Sequence, residues 1–350
     1  MLSLLTGLWG GLGRLGYEFP PPRAVPIAFH GPIMVSAFLG TLIGLERAVG
    51  IGRRWAFGAP LAAALGALAL ATLPMPAPAW LFAASGLGLL AILIESVRLQ
   101  PGFASVTIAV AAACWPAGNV LYAIGRPIPE VVSWWIAFLG LTIAGERLEL
   151  TRFLDPGPRA RALFASASGV LLAGALVSSF APDPGVRMLG AGCIALACWL
   201  ATYDIAKKNA RRDGLLRFTA VCLLSGYVWL AVSGIIAVAA GVNSAGPLYD
   251  AWLHAFFVGF VLSMVFGHAP IIFPAVLARA VPFRGRFWAH LALLHATLLL
   301  RIASDLAGFS PGVRLGGLGN VLAVLLFVVS TIAAVLGAIV RGSGAKRATG

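Results

Sequence analysis

The chain has 350 residues, of which 60% are hydrophobic and only 11% charged, and its mean hydropathy is +0.95. A soluble domain carries about 25% charged residues, so this composition excludes an ordinary soluble protein and indicates a polytopic membrane protein in a lipid bilayer. The net charge of +13 does not predict a nucleic-acid partner, because the basic residues lie in loops between apolar runs, where membrane topology accounts for them. The four cysteines fall inside apolar runs without a CxxC pattern, so neither a disulfide framework nor a thiolate metal site is predicted.

Apolar runs of about 17 to 25 residues recur along the chain, each long enough to cross a hydrocarbon core of about 30 Å as a helix. The runs are continuous rather than alternating, which favours helices over a membrane β-barrel. The first apolar run, at the N-terminus, is too short to span the membrane. The twelve predicted helices are 1–17, 25–49, 57–74, 79–99, 104–125, 130–150, 162–180, 186–206, 215–241, 250–276, 285–308 and 315–341.

An internal repeat organises these helices. Residues 37–47 read AFLGTLIGLER and residues 137–147 read AFLGLTIAGER, with seven of eleven positions identical. A third, diverged copy at 259–269 (GFVLSMVFGHA) has a histidine where the first two have a glutamate. Because the motif lies on the second helix of each set of four, the predicted fold is an all-α polytopic membrane protein of about twelve transmembrane helices. Its three four-helix repeats, 1–99, 100–210 and 211–350, form one integral membrane domain.

The charges of the loops predict the orientation of the chain. If the twelve helices alternate across the membrane, 19 of the 25 basic residues fall on one side. Loops rich in Lys and Arg stay in the cytoplasm, so this side, which includes the C-terminus, is predicted to be cytoplasmic.

All five histidines lie in or at the edge of predicted spans, where ionisable residues are costly and mark functional sites. His30 and His254 lie about one turn inside the periplasmic ends of the second helices of repeats one and three. A haem iron can be bound from both faces by two neutral imidazoles that lie at the same depth on different helices. The alternative is that each imidazole hydrogen-bonds a backbone carbonyl near the interface.

A second site is predicted at the opposite depth. His268 follows His254 by fourteen residues, which on a regular helix places both on nearly the same face. His295 lies about ten residues beyond the following turn, close to the depth of His268, and His290 precedes it on the same helix. Copper or a second haem held by His268 and His295, with His290 as a further metal candidate, is one hypothesis. Packing and interfacial hydrogen bonds are the alternative.

Charged residues form two further candidate sites. The pairs Glu46-Arg47 and Glu146-Arg147 lie at cytoplasmic helix ends, where a carboxylate is disfavoured by the helix dipole, so each Glu is expected to have a specific basic partner. Ion pairing between the repeats is the predicted role, and a proton path is the alternative. Arg301 is four residues before an aspartate and is a candidate to bind a haem propionate or to form an interfacial ion pair.

In architecture the chain resembles the catalytic subunit of the haem-copper oxidases. More specifically, it resembles the NnrS family of haem- and copper-containing membrane proteins of denitrifying bacteria. The residues that carry this second resemblance are His30-Gly31-Pro32-Ile33-Met34 and His254-Ala255, the latter followed by Val258-Gly259 and Ser263-Met264.

The resemblance implies a multi-pass protein of the bacterial cytoplasmic (inner) membrane that binds haem b and copper. It implies a role in the response to nitric oxide, another diatomic gas or nitrosative stress, or in denitrification-linked respiration with a respiratory-chain partner. It leaves open whether the protein is an enzyme. Two alternatives come from other classes: a cofactor-free transporter or channel that uses the Glu-Arg layer and His268 as a polar path, and a structural subunit of a respiratory complex.

Overall fold

The fold is known from a computed structural model that describes residues 1–18, 25–151, 154, 157–277 and 281–348. Over these residues the regular structure is helical and no strand occurs, and eleven helices are long and apolar enough to cross a membrane. The predicted all-α polytopic membrane fold is therefore confirmed. The helices are α1 (Leu2–Arg14), α2 (His30–Ile51), α3 (Arg54–Thr72), α4 (Ala77–Leu99), α5 (Phe103–Ala123), α6 (Ile128–Thr151), α7 (Gly157–Ser178), α8 (Pro182–Tyr203), α9 (Gly214–Ala240), α10 (Pro247–Pro274), α11 (Phe287–Leu306) and α12 (Ser310–Ala348).

Helix α1 is the short first element that the sequence predicts. Its 13 residues extend about 20 Å at 1.5 Å per residue, less than the thickness of a hydrocarbon core. One face, which includes Leu4, Gly7 and Leu8, is buried, and the helix packs against the beginning of α2. Helix α1 therefore packs against α2 through this buried face.

The chain folds as two compact units. The first comprises residues 1–204 and 231–252, and the second comprises residues 205–230 and 253–350, so that α9 and α10 contribute to both. The division into three four-helix repeats stays a prediction. The opening helix of each predicted repeat does end at a glycine with positive φ, namely Gly16, Gly125 and Gly241, which is a common way for a helix to terminate.

In the first unit, α7 and α8 pack with their backbones in direct contact. A Cβ atom added at Gly174 would overlap the backbone nitrogen of Leu189, and one added at Gly192 would lie 2.6 Å from the Cα atom of Leu171. Lipid offers apolar side chains as good an environment as another helix does, so membrane helices associate through such close contacts between small residues. These glycines therefore fix the distance between the two helices.

A buried polar network joins α2 to α5 and α6 in the same unit. Ser36 donates a hydrogen bond of 3.0 Å to the Asn119 Oδ1 atom, which also accepts a 3.3 Å bond from the indole of Trp135. The indole of Trp115 donates to the Ser36 hydroxyl at 3.3 Å, and its ring edge lies directly against Gly40. Since an unpaired polar group is costly in the membrane, this network fixes the rotation of α2 about its axis.

In the second unit, α11 and α12 form a hairpin with equally close contacts. Gly312 and Gly316 of α12 face Ser304 and Arg301 of α11 so closely that a Cβ atom at Gly316 would lie 2.7 Å from the Arg301 backbone nitrogen. The Asn320 side chain donates a 2.8 Å hydrogen bond to the Thr297 hydroxyl. Small residues and interhelical hydrogen bonds therefore hold this pair as well.

Substitution of Gly174 tests whether backbone contact holds α7 to α8. Gly174→Ala is expected to lower the free energy of unfolding by about 1 to 3 kcal/mol, because the added methyl group meets backbone that cannot rotate away. Gly169 on the same helix has no atom within 4 Å of its added Cβ, so Gly169→Ala is expected to be neutral or to stabilise by up to about 1 kcal/mol. Thermal unfolding of the purified variants in detergent measures both stabilities. Equal stability of the two variants would contradict a role of backbone contact in holding α7 to α8.

Candidate functional site

The imidazole of His30 has a defined tautomer. Its Nδ1 atom lies 2.7 Å from the backbone carbonyl oxygen of Gly7. A carbonyl oxygen can only accept a hydrogen bond, so Nδ1 carries the proton of the neutral imidazole and Nε2 carries the lone pair. A histidine that ligates a metal is usually oriented in this way, by a hydrogen bond from its other ring nitrogen.

Helix α1 supplies the surface on which the His30 ring lies. A Cβ atom at Gly11 would stand 3.0 Å from the Cε1 atom of that ring, and one at Gly7 would overlap the thioether of Met34. Glycines four residues apart on one helical face thus let the ring and the thioether approach the backbone. The four-residue spacing of these glycines in the sequence is the signal from which this contact could be predicted.

Both helices that carry the predicted haem ligands contain a π-helical segment directly after the histidine. In α2 the segment is Ile33–Leu39, after His30, and in α10 it is Ala255–Leu262, after His254. The repeat register that pairs Ala37 with Gly259 also pairs the first residues of the two segments. The matching part of α6, which has no histidine, is regular α-helix. π-Helical segments occur frequently at functional sites, so these two positions are the strongest candidates in the chain.

His30 belongs to the first unit and His254 to the second. His254 is half-buried and ends the first α-helical stretch of α10. Their joint binding of one haem stays a prediction from the sequence.

The two histidines predicted to hold copper have opposite tautomers. The Nδ1 atom of His268 lies 2.8 Å from the Met264 carbonyl oxygen, so its Nε2 atom carries the lone pair, as in His30. The indole of Trp229 donates a 2.9 Å hydrogen bond to the Nδ1 atom of His295. Since an indole N–H can only donate, the neutral His295 ring must carry its proton on Nε2. His295 therefore presents an N–H group, which cannot bind a metal ion unless the ring loses this proton.

His290 is fully buried in the second unit. Neither of its ring nitrogens has a hydrogen-bond partner among the described residues. Aromatic rings enclose it, and their faces can accept a weak N–H···π hydrogen bond. These rings belong to Phe218, Phe266, Phe287 and Phe327, with centroids 4.9 to 5.9 Å from that of the imidazole.

The donor set fits the predicted copper poorly, because only His268 of the two main ligands presents a lone pair. Within the described part of the chain, no group of three or more His, Cys, Asp or Glu side chains is placed to hold a metal ion. A haem iron needs one or two imidazoles, and the tautomer of His30 suits that requirement.

The Glu-Arg motifs form contacts within the first unit. Arg47 donates a hydrogen bond to Glu146 of the second motif and lies 3.8 Å from Glu46. Arg147, the counterpart of Arg47, instead binds Asp204 with two hydrogen bonds, of 2.6 and 2.9 Å. The two side chains of this second pair are only 4% and 0% exposed. The structure therefore brings together Arg47 and Glu146, whereas Asp204, directly after α8, is a partner that the repeat pattern does not reveal.

Arg301 lies on α11, where it is buried together with Asp305 one turn further along. Its backbone faces Gly316 of α12. Arg301 is thus part of the α11–α12 interface. Its contact with a haem propionate stays a prediction.

The Arg147–Asp204 pair predicts a large effect of single substitutions. Arg147→Gln is expected to destabilise the protein by about 3 to 5 kcal/mol, since it leaves a buried carboxylate without its charge partner. Arg147→Gln/Asp204→Asn is expected to recover part of this loss. As a control, Glu130→Gln breaks the exposed Arg126–Glu130 pair and should cost less than about 1 kcal/mol. Chemical denaturation in detergent measures all three, and a cost for Arg147→Gln no larger than that of the control would refute the structural role of the pair.

The comparisons with known proteins identify a family. A search of curated proteins finds no match to this chain. The family described as "Domain of unknown function (DUF8744)" matches residues 1–336. Because this match covers nearly the whole chain, the protein belongs to the DUF8744 family.

Proposed function

We propose that the protein is a haem b protein of the bacterial cytoplasmic membrane, similar in role to the NnrS family, with His30 as one ligand of the iron. The sequence assigns His254 as the second ligand, and that assignment rests on the sequence alone. The proposed role is in the response to nitric oxide or in denitrification-linked respiration. The proposed orientation, with the C-terminus in the cytoplasm, rests on the charges of the loops.

The observation that carries the proposal is the hydrogen bond from His30 to the Gly7 carbonyl oxygen. It keeps the proton on Nδ1 and the lone pair on Nε2, the atom proposed to ligate the iron, and it also raises the basicity of that nitrogen. The contact with Gly11 limits rotation of the ring. Both effects lower the cost of ordering the imidazole when iron binds.

Haem, when bound, would supply one-electron chemistry, and because two imidazoles are proposed to bind the iron, a diatomic ligand such as nitric oxide would have to displace one of them. The protein's contribution is the set of interactions that orient the ligand. In the second unit, the π-helical segment after His254 contains Gly259, against which the Trp229 ring packs directly. Trp229 in turn binds His295, so the segment that follows the second assigned ligand is also held by aromatic packing.

The first test is a dithionite-reduced minus oxidised visible spectrum of the detergent-purified protein. Wild type is expected to show a sharp b-type α-band, and His30→Ala and His254→Ala are each expected to lose it. His30→Met should retain haem with a higher midpoint potential, because a thioether ligand raises the potential of haem iron. Thr41→Ala is the matched control on α2, since the Thr41 hydroxyl bonds only to the Ala37 carbonyl oxygen one turn earlier, and its spectrum should equal that of wild type.

Absence of haem from wild type expressed with ample haem supply would refute the proposal. A cofactor-free transporter or channel would then be the leading hypothesis. An α-band that survives in His30→Ala would refute the assignment of His30 while leaving a haem protein in place.

The contact between Gly11 of α1 and the His30 ring gives a second test. Gly11→Ala places a methyl group 3.0 Å from the His30 ring, so it is expected to keep the haem content but to broaden the α-band and shift the midpoint potential. Leu5→Ala on the same helix changes an exposed side chain instead, and its potential should stay at the wild-type value. Identical potentials for both variants would show that α1 does not position the ligand.

A further inference from the structure

A pocket walled by four basic side chains lies in the second unit, on the segment that connects α8 to α9 along the chain. Both helices are candidate membrane spans, so the connecting segment at 204–213 must emerge at a membrane surface. A short helical turn, Ala206–Asn209, folds this segment back on itself. The resulting cavity of about 480 Å³ is lined by Lys207, Lys208, Arg211 and Arg212.

The four cations of this basic pocket have no carboxylate to neutralise them. Among the described residues, none of the four forms an ion pair within 4.0 Å. Asp213 is the acidic residue next in sequence, and it lines the adjoining cavity rather than this one. Like charges around one cavity repel each other, so a bound anion would stabilise the arrangement.

The adjoining cavity has the mixed character of a membrane interface. It measures about 370 Å³ and is lined by Asp213, Gly214, Arg217, Phe283 and Trp288. The rings of Phe283 and Trp288 pack on the buried Phe218, with centroids 5.6 and 5.4 Å apart. Tryptophan at such a position is typical of the level of lipid headgroups. The basic pocket ends at Arg212 and this cavity begins at Asp213, so consecutive residues contribute to a basic and to an aromatic cavity. This combination suits a ligand with an anionic head and an apolar body.

We propose that the basic pocket binds a phosphate-bearing anion, and that in the membrane this anion is the headgroup of an anionic phospholipid. Arginine binds phosphate oxygens through two parallel N–H groups, and lysine adds a mobile point charge. Basic pockets at the cytoplasmic ends of transmembrane helices bind anionic lipid headgroups by this chemistry. The proposal does not depend on haem.

Native mass spectrometry of the full-length protein in detergent tests the pocket. Phosphatidylglycerol and phosphatidylcholine with the same acyl chains serve as probes, and wild type is expected to bind the anionic lipid at least about tenfold more tightly. The variant with Lys207, Lys208, Arg211 and Arg212 all replaced by Gln should lose this preference. The matched control replaces four other exposed arginines on the same predicted side of the membrane with Gln, and it should stay within about twofold of wild type. These control residues are Arg53, Arg54, Arg159 and Arg161.

The source of the phosphate is settled by competition. Millimolar glycerol phosphate or inorganic phosphate is not expected to displace phosphatidylglycerol from wild type. Displacement of the lipid would assign the pocket to a soluble phosphate and overturn the lipid assignment. Equal lipid preference in wild type and the four-residue variant, or an equal loss in the control, would overturn the pocket itself. Arg211→Gln/Arg212→Gln, which removes half of the charge, should bind with intermediate affinity and keeps the test available if the larger variant does not fold.

Discussion

A bilayer gives apolar helices little reason to associate, so this fold depends on backbone contact at glycine. Gly174 and Gly192 bring α7 to α8, and Gly316 brings α12 to α11, at distances that no side chain would allow. The same constraint reappears where the chain positions a histidine, because Gly11 lets the His30 ring lie on α1. Helix packing and the position of the His30 ring therefore both depend on close approach at glycine, and a change that separates α1 from α2 would move this ring.

The chemistry available to each histidine follows from the group that its Nδ1 atom contacts. A backbone carbonyl beside His30 or His268 leaves a lone pair on Nε2, whereas the indole beside His295 leaves an N–H there. Three imidazoles with the same intrinsic chemistry are thus divided into two potential ligands and one donor. The division disfavours a copper ion shared by His268 and His295.

The extent of the helices could be predicted from apolar runs, since lipid requires each span to satisfy its own backbone hydrogen bonds. The pairing of Arg47 with Glu146 could also be anticipated, because a duplicated motif places both at equivalent helix ends. The pairing of Arg147 with Asp204 depends on how α8 ends, which periodicity does not encode. A regular 3.6-residue period places His254 and His268 on nearly one face, but the eight-residue π-helical segment between them has a wider turn, so that inference does not hold.

The orientation of His30 depends on helix α1, whose 13 residues pack against the beginning of α2. Segments of this kind open locally at a lower free energy than the whole fold, because few contacts must be broken. Undocking of α1 would remove the acceptor of the Nδ1 proton and free the imidazole to rotate and change tautomer, while every spanning helix stayed in place. The affinity of the proposed haem site for iron would therefore be coupled to the docking equilibrium of α1.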